Sequence, residues 1–153
     1  MIKEMKKLLI LILVILLCAG VSFAAGKGSA KEAKALVAKA VEFWKANGKE
    51  KAFAEINNPR GKFVDRDLYV MVMDLNGKML AHGATAALIG KNLYDLRDPE
   101  GKYMVREFIN VAKTSGSGWV DYKWSNPVTK KVENKSSYVQ KYENLMLVCG
   151  IYK

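Results

Sequence analysis

The most informative segment of the sequence runs from Gly118 to Lys141 and reads GWVDYKWSNPVTKKVENKSSYVQK. This pattern predicts two strands joined by a loop that contains Pro127. Alternate side chains of a strand point to the same face of a sheet. The residues that share a face are Val120, Tyr122 and Trp124 on the first strand, and Lys135, Ser137 and Val139 on the second. If the two faces coincide, a lysine stands among aromatic rings.

A lysine among aromatic rings has two interpretations. Inside a concave sheet, the ammonium would pair with a small anion, and the rings would cover an apolar tail of that anion. On a half-solvated sheet, the same lysine would be exposed. The sequence pattern leaves both interpretations open, and the burial of Lys135 decides between them.

The first residues of the chain have the layout of a secretory signal peptide over 1–24. Three lysines precede an apolar run at 8–21, and small residues follow just before Ala25. We predict cleavage near Ala25, which leaves one domain over 25–153 in periplasmic or secreted form. The apolar run is shorter than the roughly 20 residues that span a bilayer, and an uncleaved membrane anchor is the alternative.

The chain is strongly basic, with a formal net charge of +10 over 153 residues. Removing residues 1–24 takes away three lysines and one glutamate and leaves a charge of +8. Such a surplus favours anionic partners through long-range attraction, and it also serves solubility. A basic surface or adhesion protein that binds polyanions through interleaved Lys and Tyr side chains is therefore the alternative to a ligand-binding domain. We expect no nucleic-acid partner.

Few residues are available for metal, redox or catalytic chemistry. Without residues 1–24, Cys149 is the only cysteine, and His82 is the only histidine of the chain. An internal disulfide, a zinc finger, a c-type haem site and a cluster of histidine ligands are therefore excluded. The sequence also lacks a Gly-rich phosphate loop and a nucleophile elbow. We predict that the chain is not an enzyme and that it has no metal and no cofactor.

The order of elements predicts an α+β domain. Helical spacing and strand-forming composition indicate helices over 29–47, 49–56 and 99–113, and strands over 67–75, 78–82, the pair within 118–141, and 145–152. A long loop-like connection over 83–101 leads to the third helix. Three consecutive strands at the end indicate a five-stranded antiparallel sheet with helices packed on it.

Three local details are also predicted. Asn76-Gly77 indicates a tight two-residue hairpin turn, because both residues tolerate a positive φ. Asp98 is expected to cap a helix that begins at Pro99. The basic, Ala-rich first helix is expected to pack on the sheet rather than on a membrane surface.

Several segments in a fixed order resemble one known family. They are YVMVMDLNGKMLAH at 69–82, IGKNL at 89–93, DPEGKY at 98–103, GWVDYKWSNP at 118–127, KSSY at 135–138 and CGIY at 149–152. Over 29–153, this pattern looks like the single-Cache extracellular sensor domain. The resemblance implies a PAS-like fold, in which a long N-terminal helix leads into a five-stranded antiparallel sheet around a small-molecule pocket.

The resemblance also implies a location and a kind of ligand. Members usually lie outside the inner membrane on chemoreceptors and sensor kinases, and many bind small carboxylates such as acetate, propionate, lactate or pyruvate. We therefore expect a periplasmic sensor domain for a small organic acid. Typical members are flanked by membrane spans and continue into an output module, whereas this sequence ends at Lys153. We expect it to act through a membrane signalling partner.

Within this frame, Lys135 is the first candidate to pair with a ligand carboxylate, since a charge drawn out of water requires an opposite charge or donors nearby. Tyr122 and Trp124 are candidates for the wall of the pocket, and Ser137 shares the face of Lys135. Strand parity places Tyr138 on the opposite face, so a bulge would be needed for both to line one pocket.

Other candidates lie outside the central strand pair. His82 ends a strand, where it donates to a ligand or serves as a structural hydrogen-bonding residue. Tyr94, Arg97 and Tyr103 lie on the long connection, and loops over a sheet commonly complete a site. Arg97 is an alternative clamp for the carboxylate, or it pairs with a neighbouring acidic side chain. The methionines expected in the core are Met71, Met73 and Met104.

Overall fold

The computed structural model describes residues 26–153, so the predicted signal peptide lies outside the described residues. The helices are α1 (Ala30–Asn47), α2 (Lys49–Ile56) and α3 (Met104–Thr114), and a 3-10 turn covers Ala86–Leu88. The strands are β1 (Val64–Asp65), β2 (Leu68–Asp74), β3 (Met79–His82), β4 (Ser117–Ser125), β5 (Val132–Tyr142) and β6 (Leu145–Tyr152). The α+β prediction is confirmed. Within 26–153, no helix is both long and apolar enough to cross a membrane.

The six strands form one antiparallel sheet in the order β1-β2-β6-β5-β4, with β3 paired to β2. The five longer strands are those that the sequence predicts. The sixth, β1, has two residues and pairs with the start of β2, where Val64 is opposite Tyr69. A strand of two residues has no periodicity, because alternation becomes visible only over about four residues. The sequence pattern therefore misses it.

Helix α1 is fixed at both ends and packs on one face of the sheet. The Ser29 side chain accepts from the Glu32 N–H, and the Glu32 carboxylate accepts from the Ser29 N–H at 2.7 Å, which is a capping box. Gly48 follows the helix with a φ of +83°, a conformation that glycine adopts without strain. The buried face of α1 contacts α2, β2, β5 and β6. The expected packing of α1 on the sheet is confirmed.

The opposite face of the sheet packs against α3. A row of α3 side chains at helical spacing is buried there: Met104, Val105, Phe108, Ile109 and Ala112. Phe108 and Tyr122 make an edge-to-face contact with ring centroids 5.5 Å apart, an arrangement that aromatic pairs favour. One sheet therefore separates two apolar clusters, and the connection between β3 and α3 borders the second one.

The predicted two-residue turn between β2 and β3 is wrong. The Gly77 N–H donates to the Asp74 carbonyl at 3.2 Å, and Asp74 Oδ1 accepts from the N–H groups of Asn76 and Lys78. Of the Asn76-Gly77 pair, only Gly77 has a positive φ, at +90°. The turn is longer because the Asp74 carboxylate accepts hydrogen bonds from backbone N–H groups of the turn, as Asp side chains commonly do.

The predicted start of the third helix is also wrong, because α3 begins at Met104 and not at Pro99. Asp98 does not cap this helix. Its Oδ1 atom accepts hydrogen bonds from the N–H groups of Glu100, at 2.9 Å, and Lys102, at 2.8 Å. Such local side-chain bonds compete with helix formation. The connection therefore continues up to α3.

One glycine of the sheet is required by close packing. Gly150 lies opposite Ser137 in the β5–β6 pair. A Cβ atom at this position would come within 2.3 Å of both the Lys135 Cε atom and the Ser137 Oγ atom. The missing side chain therefore makes room for Lys135 to lie along the sheet.

Gly150→Ala is expected to destabilise the domain by about 1 to 3 kcal/mol, the usual cost of overpacking a well-filled core. Chemical denaturation of the two proteins measures the difference in the free energy of unfolding. Gly26→Ala is the control, because no atom lies within 4 Å of the Cβ position at Gly26. An unchanged stability for Gly150→Ala would show that Lys135 does not need this space.

Candidate ligand-binding site

The register of the last three strands places a lysine between two tyrosines. Tyr122 is opposite Lys135 in the β4–β5 pair, and Lys135 is opposite Tyr152 in the β5–β6 pair. The two strand faces therefore coincide, which the sequence pattern left open. Lys135 is 1% exposed, so the interpretation as an exposed lysine is wrong. A buried charge requires partners, because an unpaired charge away from water is costly.

The Lys135 ammonium contacts two phenol groups. Its Nζ atom donates to the Tyr69 hydroxyl at 2.6 Å and to the Tyr152 hydroxyl at 3.1 Å. It also lies 4.1 and 4.4 Å from the centres of these two rings, within the range of cation–π attraction. No carboxylate of residues 26–153 forms an ion pair with Nζ. An ammonium has three donors, so one remains for a further acceptor.

Burial lowers the pKa of Lys135 from its usual 10.5 to about 7. The ammonium loses its hydration, and two neutral phenols replace that hydration only in part. Burial also raises the pKa of Tyr69 well above 10.0, so its hydroxyl stays protonated. Near pH 7, Lys135 is therefore poised between ammonium and free amine, and an anion beside it would favour the ammonium.

This lowered pKa makes the stability of the ligand-free domain depend on pH. Between about pH 7 and 10.5, the unfolded chain binds more protons at Lys135 than the folded chain, so the contribution of Lys135 to stability rises with pH across this window. Lys135→Met should remove this rise, which is at most about 1.4 kcal/mol per pH unit. Chemical denaturation of both proteins across the window measures it. Equal slopes for the two proteins would contradict the lowered pKa.

His82 supports the same site from the end of β3. Its buried ring stacks on Tyr69 with centroids 5.0 Å apart. Its Nδ1 atom accepts hydrogen bonds from the N–H groups of Ala84 and Thr85, so the neutral ring carries its proton on Nε2. Burial and then the charge of Lys135 lower the pKa of His82 to about 4. His82 is therefore neutral at physiological pH and helps to orient Tyr69.

A small apolar cavity adjoins this polar cluster. Its walls come from β2, β3, β4, α3 and the long connection. The lining residues are Tyr69, Met71, Met73, Met79, Leu88, Leu93, Leu96, Met104, Val105, Phe108, Tyr122 and Trp124. The expected burial of Met71, Met73 and Met104 is confirmed. Their side chains also line the cavity, and flexible methionine side chains can adapt their shape to a neighbouring group.

The connection between β3 and α3 forms one wall of this cavity through Leu88, Leu93 and Leu96. Asp98 holds it against the sheet, because the Asp98 Oδ2 atom accepts the Lys123 N–H of β4 at 3.0 Å. Burial alone would raise the pKa of this carboxyl, but hydrogen bonds from three backbone N–H groups outweigh burial and lower the pKa. Asp98 is thus an ionised anchor for the wall.

The structure places five of the predicted site residues on the cavity face of the sheet: Lys135, Tyr122, Trp124, Ser137 and His82. The Tyr122 hydroxyl and the Ser137 Oγ atom lie 2.9 Å apart and satisfy each other. Tyr138 lies on the other face, where its ring packs beside Trp119 with centroids 5.5 Å apart. It does not reach the cavity.

Tyr94, Arg97 and Tyr103 do not line the cavity either. The Arg97 guanidinium lies 4.3 Å from the centre of the Tyr103 ring and donates to the Tyr103 hydroxyl. Arg106 stacks on the Tyr103 and Tyr94 rings at 3.8 and 4.9 Å, and Tyr94 is 42% exposed. Within residues 26–153, Arg97 has no ion pair with an acidic side chain. These residues form a stack on the surface of the connection.

Sequence reasoning misses Tyr69 and Tyr152, the two residues in direct contact with the lysine. Tyr69 lies in β2, a continuous apolar run buried on both faces, where alternation carries no signal. Tyr152 reaches Lys135 only through the β5–β6 register. The one signal available was Gly150, because a glycine within an apolar strand often marks the close approach of another group.

An antiparallel sheet with an apolar cavity between its face, a helix and a long connection defines a PAS-like, small-molecule-binding domain. Residues 3–152 match the family described as Single Cache domain 2. The chain therefore belongs to the single Cache domains, and the resemblance drawn from its motifs is confirmed.

Similar proteins are chemotaxis receptors and chemosensory domains. The methyl-accepting chemotaxis protein McpP of Pseudomonas putida is 33% identical over 90 residues, which are 58% of this chain and 16% of that protein. A methyl-accepting chemotaxis protein from Vibrio parahaemolyticus has a structure 28% identical, with a TM-score of 0.68 over 80% of this chain and 86% of that chain. A Cache chemosensory domain solved for its recognition of carboxylic acids is 25% identical, with a TM-score of 0.63 over the same shares. This chain spans less than a fifth of the curated relatives that it matches.

Proposed function

We propose that this chain is a ligand-sensing domain that acts in the periplasm and binds a small monocarboxylate at Lys135. One observation supports it above all others: the fully buried amine of Lys135 has two neutral phenols beside it and no ion pair with a carboxylate of the described residues. Burial, which lowers the pKa of Lys135, outweighs the charge of Asp67, which raises it. Buried charges in proteins are paired as a rule. A ligand carboxylate would supply the opposite charge and would accept the third N–H of the ammonium.

The apolar cavity favours a ligand whose carboxylate carries a short apolar tail. Tyr69 joins the ammonium to the apolar space, since its hydroxyl contacts Nζ and its ring lines the cavity. Methionine and leucine side chains offer no hydrogen bonds to a second charged group. A dicarboxylate would therefore leave one charge unpaired in the cavity.

Burial separates this proposal from the alternative of a basic surface that binds polyanions. Binding of a polyanion uses exposed lysines and aromatic rings along a groove that the polymer can reach. Lys135 and Tyr122 are instead buried, so a polymer cannot reach them along a surface groove. Their burial supports a sensor.

We further propose that the domain acts through a membrane signalling partner and that it is not itself catalytic. The similar proteins are chemotaxis receptors, of which this chain matches only a small part. A ligand shifts the equilibrium of a receptor only by binding its two states with different affinity. The partner would then respond to the part of this chain whose conformation differs between the ligand-free and ligand-bound states.

Calorimetric titration of the purified chain with propionate and with propionamide tests the proposal. The two molecules have nearly the same shape, and only propionate is charged. We expect propionamide to bind roughly tenfold or more weakly, because a hydrogen bond to a charged group contributes about 1.5 to 3 kcal/mol. Equal affinities, or no binding by any small monocarboxylate in a thermal-shift screen, would contradict the proposal.

A further inference from the structure

A second cavity lies where the first described residues meet the loop between β4 and β5. Its polar walls are Lys27, Arg66, Asp67, Asn126 and Thr129. None of these residues lines the cavity beside Lys135. The second cavity is therefore a separate place on the domain, with a chemistry of its own.

Both cations of this cavity are already paired. Arg66 forms ion pairs with Glu32 at 2.7 Å and Asp65 at 2.8 Å. Lys27 forms an ion pair with Glu133 at 3.1 Å. Neither side chain is therefore free to bind an anion without breaking an existing pair.

The two uncharged polar side chains are also used. Asn126 Oδ1 accepts the Val128 N–H at 2.8 Å, and Asn126 Nδ2 donates to the Glu133 carboxylate. The Thr129 hydroxyl donates to the same carboxylate. Each of these polar atoms therefore already has a partner in the loop between β4 and β5 or at the start of β5.

Asp67 is the exception. Its Oδ1 atom accepts the Gly28 N–H at 2.7 Å, whereas no group of residues 26–153 donates to its Oδ2 atom. Asp67 is only 3% exposed and lines the cavity. Buried carboxylate oxygens are normally hydrogen-bonded, because an unpaired one loses its hydration without compensation. The cavity therefore contains one buried acceptor in need of a donor.

The surroundings favour a cationic donor. The cavity is lined by two cations, Lys27 and Arg66, and by the carboxylate of Asp67. Three more carboxylates pair with the two cations: Glu32, Asp65 and Glu133. The charged groups are thus acidic in balance, although the chain has a formal net charge of +10. A calcium ion takes about six to eight oxygen ligands, and no group of acidic residues within 26–153 is arranged to hold a metal. A primary ammonium is small, carries three donors and pairs well with a single carboxylate.

We propose that the cavity at Asp67 binds a primary ammonium group, with Asp67 Oδ2 as its acceptor. Such a group has two possible sources. One is a small free amine. The other is the α-amino group of this chain, because cleavage is predicted near Ala25 and Gly26 lines the cavity. Two to three residues before the bonded Gly28 N–H span at most about 7 to 11 Å, which is enough to bring a new amino terminus to Asp67.

The free-amine source is tested by titrating the exported, purified chain with n-propylammonium chloride, with 1-propanol as the uncharged probe. We expect the amide NMR signal of Gly28 to shift with propylammonium and not with propanol, a comparison that needs no variant. Asp67→Asn keeps an acceptor for Gly28 but removes the charge, and it should weaken amine binding roughly tenfold or more. Lys141→Met should leave it unchanged, because the exposed Lys141 does not line this cavity.

The chain's own terminus is tested by measuring the pKa of its α-amino group by NMR. If the terminus occupies the cavity, this pKa is higher than in Asp67→Asn, and propylammonium binds only after the terminus is acetylated. Either result supports the ammonium site and identifies its source. The proposal is overturned if propylammonium binds neither the free nor the acetylated chain and the α-amino pKa is the same in both proteins. These outcomes are independent of propionate binding at Lys135.

Discussion

Replacing Lys135 with methionine is expected to weaken propionate binding by about ten- to a hundredfold, since a charge-assisted hydrogen bond of roughly 1.5 to 3 kcal/mol is lost. Methionine keeps the length and the apolar character of the lysine stem. The variant should remain folded, because the substitution removes the cost of burying an ammonium together with its contacts. Calorimetric titration of the folded variant measures the change in affinity.

Lys141→Met is the matched control for this experiment. Lys141 lies on the same strand with the same parity, but it is exposed. The two substitutions lower the net charge equally, so only Lys135→Met should weaken binding. Equal weakening by both would indicate long-range attraction by the basic surface. If neither substitution weakened binding, the carboxylate would bind elsewhere, and His82 and Arg97 would be the next candidates.

Asp98→Ala is expected to destabilise the domain by roughly 2 to 4 kcal/mol, because three backbone N–H groups lose a charged acceptor. These N–H groups belong to Glu100, Lys102 and Lys123 and lie 2.8 to 3.0 Å from the carboxylate. The lowered pKa of Asp98 means that its contribution is present at neutral pH and is lost on acidification. Chemical denaturation at neutral pH measures the effect.

Two further substitutions show whether the effect belongs to these hydrogen bonds. Asp98→Asn keeps one acceptor oxygen and should cost less than Asp98→Ala. Asp95→Ala removes a nearby carboxylate that is 79% exposed and pairs with Arg106, and an exposed ion pair of this kind contributes about 0 to 1 kcal/mol. Asp98→Ala should also weaken propionate binding, because Leu93 and Leu96 line the cavity on the segment that Asp98 anchors. Unchanged stability in Asp98→Ala would show that the connection is anchored by other contacts.

Strand parity was sufficient to place the centre of the site. It put Tyr122 and Trp124 on one face of the first strand and Lys135 on one face of the second. The β4–β5 register shows that these are the same face of the sheet. Parity also placed Tyr138 on the opposite face, where the structure has it. Period-two alternation is informative on these strands because their two faces differ in burial.

The rest of the site depends on contacts that no local pattern contains. Tyr69 stands in a strand buried on both faces, and Tyr152 meets the lysine through pairing between strands. Arg97 and Tyr103 have suitable chemistry and lie on the right segment, but their side chains stack on each other at the surface. The backbone path of a long connection is set by single residues such as Asp98, whose side chain bonds to distant N–H groups.

A crystal structure of the propionate complex tests the central claim most directly. We expect one carboxylate oxygen to lie about 2.7 to 3.2 Å from Lys135 Nζ. The ethyl group should lie in the apolar cavity beside Met71 and Met73. Propionate bound at exposed lysines, with Lys135 still bonded only to Tyr69 and Tyr152, would contradict the assignment of Lys135 as the partner of the ligand's charge.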